Sequence, residues 1–427
     1  MNILGRKTIK NAGWLIGGRV AQMLISFVVG VLTARYLGPS NYGLIGYAGA
    51  YTAFFMSFCT LGINSVLVKE FIDNPEQEGT TIGTTLVLRA VSSLLSAMVI
   101  ICIVLFLDAG EAVTIAVVAL CSIGVVFHVF ETFNFWFQAH LNSKITAIAT
   151  FSAYCVTALY RVILMITGKN VILFAFASSV DYICIAVILL FAYKKYGGKR
   201  LGFSFGKAKH LLSKSHHFIL SGLMVSIYGQ TDKLMLKQMI NDTEIGYYTT
   251  AVTISNMWCF VLAAIIDSVF PSIMEANGKD EKLFKLRNRQ LYAIVFYISV
   301  IVSLGFTVLA PLIISILYGK EFMGSVNPLR IITWYTAFSY LGVARNAWMV
   351  CRDKQKYLKY IYILAAVSNV VLNLVFIPLW GASGAAFASL ISQMLTSIIL
   401  PLFIKPLKEN VVLMLEAIMF KGIKGEK

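Results

Sequence analysis

Long apolar runs constrain this chain more than any other feature. Twelve stretches, near 12–34, 43–65, 82–107, 112–137, 145–167, 171–193, 216–238, 247–270, 291–317, 327–350, 358–378 and 383–404, are mostly apolar. A helix needs about 20 such residues to cross about 30 Å of hydrocarbon. Transmembrane barrel strands are excluded, because those are alternating segments of roughly ten residues. Hydrophobic residues make up 58% of the 427 and charged residues only 13%. A soluble domain is about 25% charged, and a disordered chain combines low hydrophobicity with high charge, so both classes are excluded. The seven cysteines sit mostly inside apolar runs, and no metal-type Cys/His spacing occurs. No metal and no cofactor are expected. The fold class expected is an all-α polytopic membrane protein with about 12 transmembrane helices.

The basic residues set the topology. If the spans alternate, 26 of the 36 Lys and Arg fall on one side, including Lys194–Lys214, Lys279–Arg289 and Lys405–Lys427. Only Arg35, Lys169, Lys237, Lys320 and Arg330 fall on the other. Positive loops stay cytoplasmic, so both termini are expected in the cytoplasm, with the first span acting as an uncleaved anchor. The net charge of +16 then reflects topology and contact with anionic lipid, not nucleic acid.

The longest break, residues 194–215, is basic and divides the chain. The domains read as a six-helix lobe over 1–193, a basic cytoplasmic linker over 194–215, a second six-helix lobe over 216–404 and an amphipathic interfacial tail over 405–427. The halves repeat weakly. Leu37–Gly43 matches Ile240–Gly246 at a shift of 203, and Gln138–Lys144 matches Val350–Lys356 at a shift of 212. Each pair is a polar turn between spans. Parallel repeats of this kind build transporters, with the substrate site between halves. No connection is large enough to house the soluble catalytic domain of a glycan polymerase or ligase, and no phosphate-binding G-x-x-x-x-G-K-[ST] loop is present.

Several segments are similar to a known family. TARYLGPSNYGLIGYAGAY (33–51), WFQAHLNSKITAIA (136–149), QTDKLMLKQMINDTEIGYYTTA (230–251), LYGKEFMGSVNPLRII (317–332) and the run from Arg352 to Ser392 resemble, in order, the Wzx-type O-antigen and polysaccharide flippases. These belong to the multidrug/oligosaccharidyl-lipid/polysaccharide exporter superfamily. The resemblance implies two pseudo-symmetric six-helix lobes around a central cavity. It implies a bacterial inner-membrane protein that moves an undecaprenyl-diphosphate-linked oligosaccharide to the periplasmic leaflet. It implies partners in the same pathway, such as a glycan polymerase and chain-length proteins. A cation-coupled multidrug exporter of the same superfamily would have the same span count and is the alternative; a membrane glycan polymerase or ligase is the third reading.

A polar head crossing hydrocarbon needs a wet path and, for diphosphate, cations. Charges inside spans are the candidates. Arg19, Arg89 and Arg345 each lie five to eight residues from a cytoplasmic span end, and are expected to capture the diphosphate by bidentate pairing. Snorkelling to the interface is the competing reading. Gln22, Ser26 and Thr33 continue a stripe from Arg19. Ser221, Tyr228 and Asp232 form another, and Thr249, Thr253, Asn256 and Asp267 a third. Asp181, Asp232, Lys233, Glu131 and Asp267 are candidates for ion coupling or charge balance, with His128 a possible titrating group. The aromatics of the second span, from Tyr47 and Tyr51 to Phe58, are expected to meet lipid or pack, with sugar stacking as the alternative. Trp14, Trp136, Trp348 and Trp380 fall near span ends, as an aromatic belt requires.

Overall fold

The computed structural model describes residues 3–422, with side chains placed from residue 17 onward except at 18–20, 65, 220 and 221. All regular structure among these residues is helical. The helices are α1 (Ile3–Thr60), α2 (Asn64–Asp73), α3 (Glu78–Leu107), α4 (Ala112–Phe127), α5 (Thr132–Ala139), α6 (Ser143–Ile166) and α7 (Val171–Lys195). They continue as α8 (Phe205–Met239), α9 (Asp242–Asn256), α10 (Cys259–Ala276), α11 (Glu281–Leu317), α12 (Val326–Cys351), α13 (Leu358–Met394), α14 (Leu400–Phe403) and α15 (Lys408–Ile418).

Two of these are broken. α1 has 58 residues, which at 1.5 Å per residue is roughly 85 Å, far more than one crossing uses. Its break is Gly38 (φ 72°, ψ 171°), followed by Pro39. Glycine reaches that conformation without a Cβ clash, and proline begins the next helix without forfeiting a hydrogen bond. α13 breaks in the same way at Gly381 (φ 54°), shortly after Pro378. Eight runs of helix among the described residues are long and apolar enough to cross a membrane, and two of them, 21–60 and 355–403, contain these breaks. α8 and α12 are not among the eight. Asp232 and Lys233 lie in the one, and Arg330 and Arg345 in the other. The expectation of about twelve crossings is therefore an approximate count.

The helices are built inside out. Along α3 the buried face reads Thr81, Thr84, Thr85, Arg89, Ser93 and Ser96, while Val87, Val91, Leu94, Leu95, Met98 and Val99 are exposed. In water that arrangement would strand the polar side chains and wet the apolar ones. In a bilayer it is the favourable order, since small hydroxyl residues pack helix on helix and branched chains meet lipid. The protein is a multi-pass membrane protein.

The chain forms two compact units, residues 1–226 and 227–427, and the internal repeat reappears in their detail. Leu141 and Asp353 both adopt left-handed φ, at 53° and 52°. Around them the same bonds recur, with Asn142 N–H on Phe137 C=O at 2.8 Å and Lys354 N–H on Met349 C=O at 2.9 Å. Glu78 pairs with His140 at 3.2 Å, and Glu281 pairs with Arg352 at 2.6 Å. The second pair sits 203 and 212 residues after the first, the two shifts of the sequence repeat.

Trp136 and Trp348 are core residues of their units, 4% and 1% exposed, not members of a belt. Trp136 donates to the buried carboxylate of Glu78 at 2.9 Å, a partner that the headgroup region would otherwise supply. Trp14 lies outside the described residues. Tyr47 and Tyr51 are also buried, and Tyr47 donates to Asp108 at 2.9 Å.

Two connections are fastened. Between α7 and α8, Gly202 N–H bonds to Gly79 C=O at 3.2 Å and Ser204 N–H to Thr84 Oγ1 at 3.1 Å. A Cβ on Gly83 would stand 2.2 Å from the Gly202 oxygen, so only glycine admits this approach. Glu70 of α2, 3% exposed, is met by Lys207 at 2.7 Å, His210 at 3.5 Å and Lys214 at 3.6 Å from α8. In the second unit α15 buries Val411, Met414 and Ala417. Lys285–Glu409 at 3.0 Å and Arg289–Glu416 at 3.1 Å tie it to α11.

Candidate functional site: a polar chamber and the buried charges

The second unit encloses a cavity of about 430 Å³ bordered by α8, α9, α12 and α13. Tyr228, Asp232, Lys233 and Asn256 line it, together with Tyr248, Tyr335 and Ser389. Asp232 is 3% exposed. Its Oδ1 accepts from Asn373 Nδ2 at 2.6 Å, and its Oδ2 accepts from the hydroxyls of Tyr248 and Ser389. Asn373 also donates to Asn369 Oδ1 at 3.1 Å. Both segments of α13 reach it with polar side chains one turn apart, Asn369 and Asn373 before the break and Ser389 and Gln393 after it. Tyr228 donates to Gln393 Oε1 at 2.5 Å, and Gln393 passes the chain to Ser397 at 3.0 Å.

A buried carboxylate costs several kcal/mol unless its oxygens are bonded, so this network explains how α8 tolerates Asp232. Lys233 is only half-buried and points into the same cavity wall. Thr253 bonds back to Thr249 C=O at 2.8 Å, as a threonine inside a helix commonly does. Asp267 is exposed and lies apart from the chamber lining. Asn369, Asn373, Ser389 and Gln393 were not singled out from the sequence. Their signal was present as the i, i+4 pairs S-N-V-V-L-N and S-L-I-S-Q, but small polar residues in an apolar helix also read as packing.

The first unit holds its charges differently. Arg89 is 1% exposed. It donates to Asn64 Oδ1 and, at 2.9 Å, to Thr132 Oγ1, and Glu131 lies within electrostatic range. In this conformation Arg89 ties α2, α3 and α5 together and does not offer an open fork to cargo. Glu131 is shared with His128 at 3.0 Å. Asp181 is half-buried, with Arg161 and Glu131 in electrostatic range and one carboxylate oxygen buried without a hydrogen bond. Arg19 and Ser221 lie outside the described side chains. Gln22 is half-buried, Ser26 is exposed, and Thr33 bonds to Val29 C=O at 2.7 Å.

Arg345, in the second unit, has the least compensation. It is 3% exposed, donates Nη1 to Thr396 C=O at 3.2 Å, and leaves Nε buried without a partner. Among the described residues no carboxylate pairs with it, and its side-chain hydrogen bond goes to the Thr396 carbonyl. Thr396 lies in a π-helical turn, Leu395–Ile399, a local widening that often marks functional helices.

Fold and site together define a polytopic helical membrane protein with polar centres buried inside its bundles. The whole-chain likeness agrees. A lipid II flippase structure superposes with a TM-score of 0.72 at 14% identity, over 96% of this chain and 91% of that one. An inward-facing multidrug transporter of the MATE family superposes at 0.68 and 14%, over 92% and 95%. At such identities the likeness speaks for the fold alone.

The chain belongs to the polysaccharide biosynthesis protein family, whose pattern residues 8–277 match. It is 24% identical over 264 residues to a protein described as an O-antigen transporter of Shigella dysenteriae, covering 61% of this chain and 65% of that protein, just under two thirds of its length. It is 21% identical over 401 residues to a capsular polysaccharide biosynthesis protein of Staphylococcus aureus, covering 90% and 96%.

Proposed function

We propose that the chain is a flippase, a transporter and not an enzyme, that moves an undecaprenyl-diphosphate-linked oligosaccharide from the cytoplasmic to the periplasmic leaflet by alternating access. The observation that carries this reading is membership of the polysaccharide biosynthesis family by a chain with the fold of a lipid flippase. The buried charges support it: Arg345 is an intramembrane cation that pairs with no acid among the described residues, and a diphosphate would supply a counter-charge. Arg345, with Arg19, Gln22 and Ser26, is assigned to capture of the diphosphate. Arg89 positions α2 and α5. Asp232 and Lys233, and in the first unit Asp181 and Glu131, serve coupling or charge balance, as does Asp267. Tyr228, Thr253 and Asn256 supply polar wall. The functional domains are the lobes 1–193 and 216–404, with 194–215 as linker and 405–427 as tail. The membrane is the bacterial inner membrane, and both termini lie in the cytoplasm, a reading supported by the excess of basic residues on one side. Lipid-linked glycan and membrane lipid are the partners, with a glycan polymerase and chain-length proteins acting next in the pathway.

Deleting the gene should accumulate lipid-linked glycan on the cytoplasmic leaflet, and Arg345→Ala should fail to restore export at normal protein level. Export restored by Arg345→Ala would remove that residue from the mechanism. Normal glycan export in the deletion strain, together with drug efflux when the chain is overproduced, would replace the flippase with the multidrug exporter.

A further inference from the structure

The connection between α7 and α8 carries Lys194, Lys195, Lys199, Arg200, Lys207, Lys209 and Lys214, and no acid between residues 194 and 215. Within it, alternate residues have different surroundings. Gly202 and Ser204 turn their backbone N–H groups to α3, on Gly79 C=O at 3.2 Å and Thr84 Oγ1 at 3.1 Å. Leu201, Phe203 and Phe205, on either side of them, stay uncovered at 47%, 45% and 83% exposure. The Phe203 and Phe205 rings meet edge to face at 4.9 Å. Tyr193 of α7 holds the same stretch through its hydroxyl on Lys199 C=O at 2.8 Å. Three large apolar side chains therefore stand in a fixed row, carried by a backbone that is tied down behind them.

The level of this row follows from α3. Gly79 and Gly83 are buried, and a Cβ on them would stand 2.1 Å from the Arg200 oxygen and 2.2 Å from the Gly202 oxygen. Residues four apart share one face of a helix. The face of Gly79 and Gly83 continues as Val87, Val91 and Leu95, all exposed. These are the side chains that the inside-out packing of α3 turns to lipid. The connection thus lies on the lipid-facing stripe itself, at the end where the stripe becomes apolar. From Gly83 to Val87 is one turn, roughly 6 Å along the axis. The headgroup layer of a bilayer is about 5–7 Å deep on each face, so the row stands at headgroup depth.

We propose that residues 194–209 form a docking surface for anionic phospholipid of the adjoining leaflet, the cytoplasmic one on the topology given above. Leu201, Phe203 and Phe205 enter the boundary between headgroups and acyl chains, where aromatic rings gather. Lys194, Lys195, Arg200 and Lys209, all exposed, meet the headgroup phosphates. Lys207 takes no part, because Glu70 holds it at 2.7 Å. Apolar insertion and a basic cluster are two signals that hold a segment to a membrane together, where one alone is marginal. Charge complementarity decides the occupant: a neutral lipid would satisfy the apolar row and leave the bases unmatched. The surface rests on the membrane fold and is independent of what the protein carries.

The test uses the full chain in nanodiscs of equal parts phosphatidylcholine and phosphatidylglycerol. Phe205→p-benzoylphenylalanine is irradiated, and its lipid adducts are identified by mass. The same label at Phe203 gives a second reading, and at Phe106, 82% exposed at the far end of α3, it gives the reference. Residue 205 should capture phosphatidylglycerol over phosphatidylcholine by about threefold or more, while residue 106 captures the two about equally. Lys194→Gln, Lys195→Gln, Arg200→Gln and Lys209→Gln combined should bring residue 205 to the ratio at residue 106, with the melting temperature unchanged. No lipid adduct at residues 203 and 205, equal capture of the two lipids there, or a preference that survives loss of those bases overturns the proposal. So does an adduct that turns wholly to undecaprenyl diphosphate when that lipid is added as a trace, because the surface would then be a contact for cargo. Failure of the flippase reading would appear instead in the deletion strain, whatever the cross-linking gives.

Discussion

Arg161 of α6 and Asn373 of α13 hold corresponding places, 212 residues apart, and each lies beside a buried or half-buried aspartate of its own unit. The outcomes are opposite. Asp232 accepts from Asn373, Tyr248 and Ser389. Asp181 faces the Arg161 charge, yet one of its oxygens and the Arg161 Nε are both buried without a hydrogen bond. Neutral amides and hydroxyls have immobilised the acid of the second unit, whereas a full counter-charge has left that of the first under-bonded. A saturated acid is a fixed part of the wall. An under-bonded buried pair calls for an explanation, and the ordinary one is a water, a proton or a ligand that comes and goes. The comparison separates a saturated Asp232 from an Asp181 with one oxygen left unbonded.

The largest effect that tests this contrast is on stability. Asp232→Ala strands three donors, and should cost about 3–5 kcal/mol, read as a lowered melting temperature in detergent; Asp232→Asn should recover part of it. An alanine variant as stable as the parent would end the idea of a saturated wall. Asp181→Asn should change stability by only about 1 kcal/mol while sharply reducing glycan export. If it unfolds the protein as Asp232→Ala does, the two acids are equivalent and the contrast is lost. The smallest effect lies outside the spans. Burial raises the Glu70 carboxyl, but Lys207, Lys214 and His210 outweigh it and hold the group below its ordinary value. A carboxylate lowered on folding stabilises above its unfolded pKa, about 4.3, and that gain disappears as pH falls through the lower folded value. Melting curves from neutral pH to about pH 3 should therefore show a loss of about 1 kcal/mol in the parent that Glu70→Gln lacks. Parallel curves would show that the α2–α8 cluster adds nothing.

Much of this was legible in the sequence because a bilayer imposes simple rules. Length and continuity of apolar runs located the helices, and the weak match of Gln138–Lys144 with Val350–Lys356 proved to be the same turn down to the left-handed φ at Leu141 and Asp353. Tyr228, Asp232, Lys233 and Asn256 were found as polar breaks in apolar text, and they line one cavity. What could not be read is partnership. Asn369 and Asn373 look like helix glue until Asp232 is placed beside them, and Trp348 looks interfacial until it is found 1% exposed. Arg89 announced itself as a cation in a span, but its attachment to Asn64 and Thr132 depends on how α2 and α5 fold against α3. Glu244 read as part of a polar turn, since its target, the Ala382 amide, lies 138 residues away.

The strand of chain that crosses from α7 to α8 is riveted, not slack. Gly79 and Gly83 let it lie flat on α3, and Glu70 grips the first turns of α8 as far as Lys214. Any swing of α8 is then left to the length beyond that grip, where a side chain added at Gly229 would meet nothing within 4 Å. A helix held in this way has its freedom within its own length rather than at the loop that precedes it.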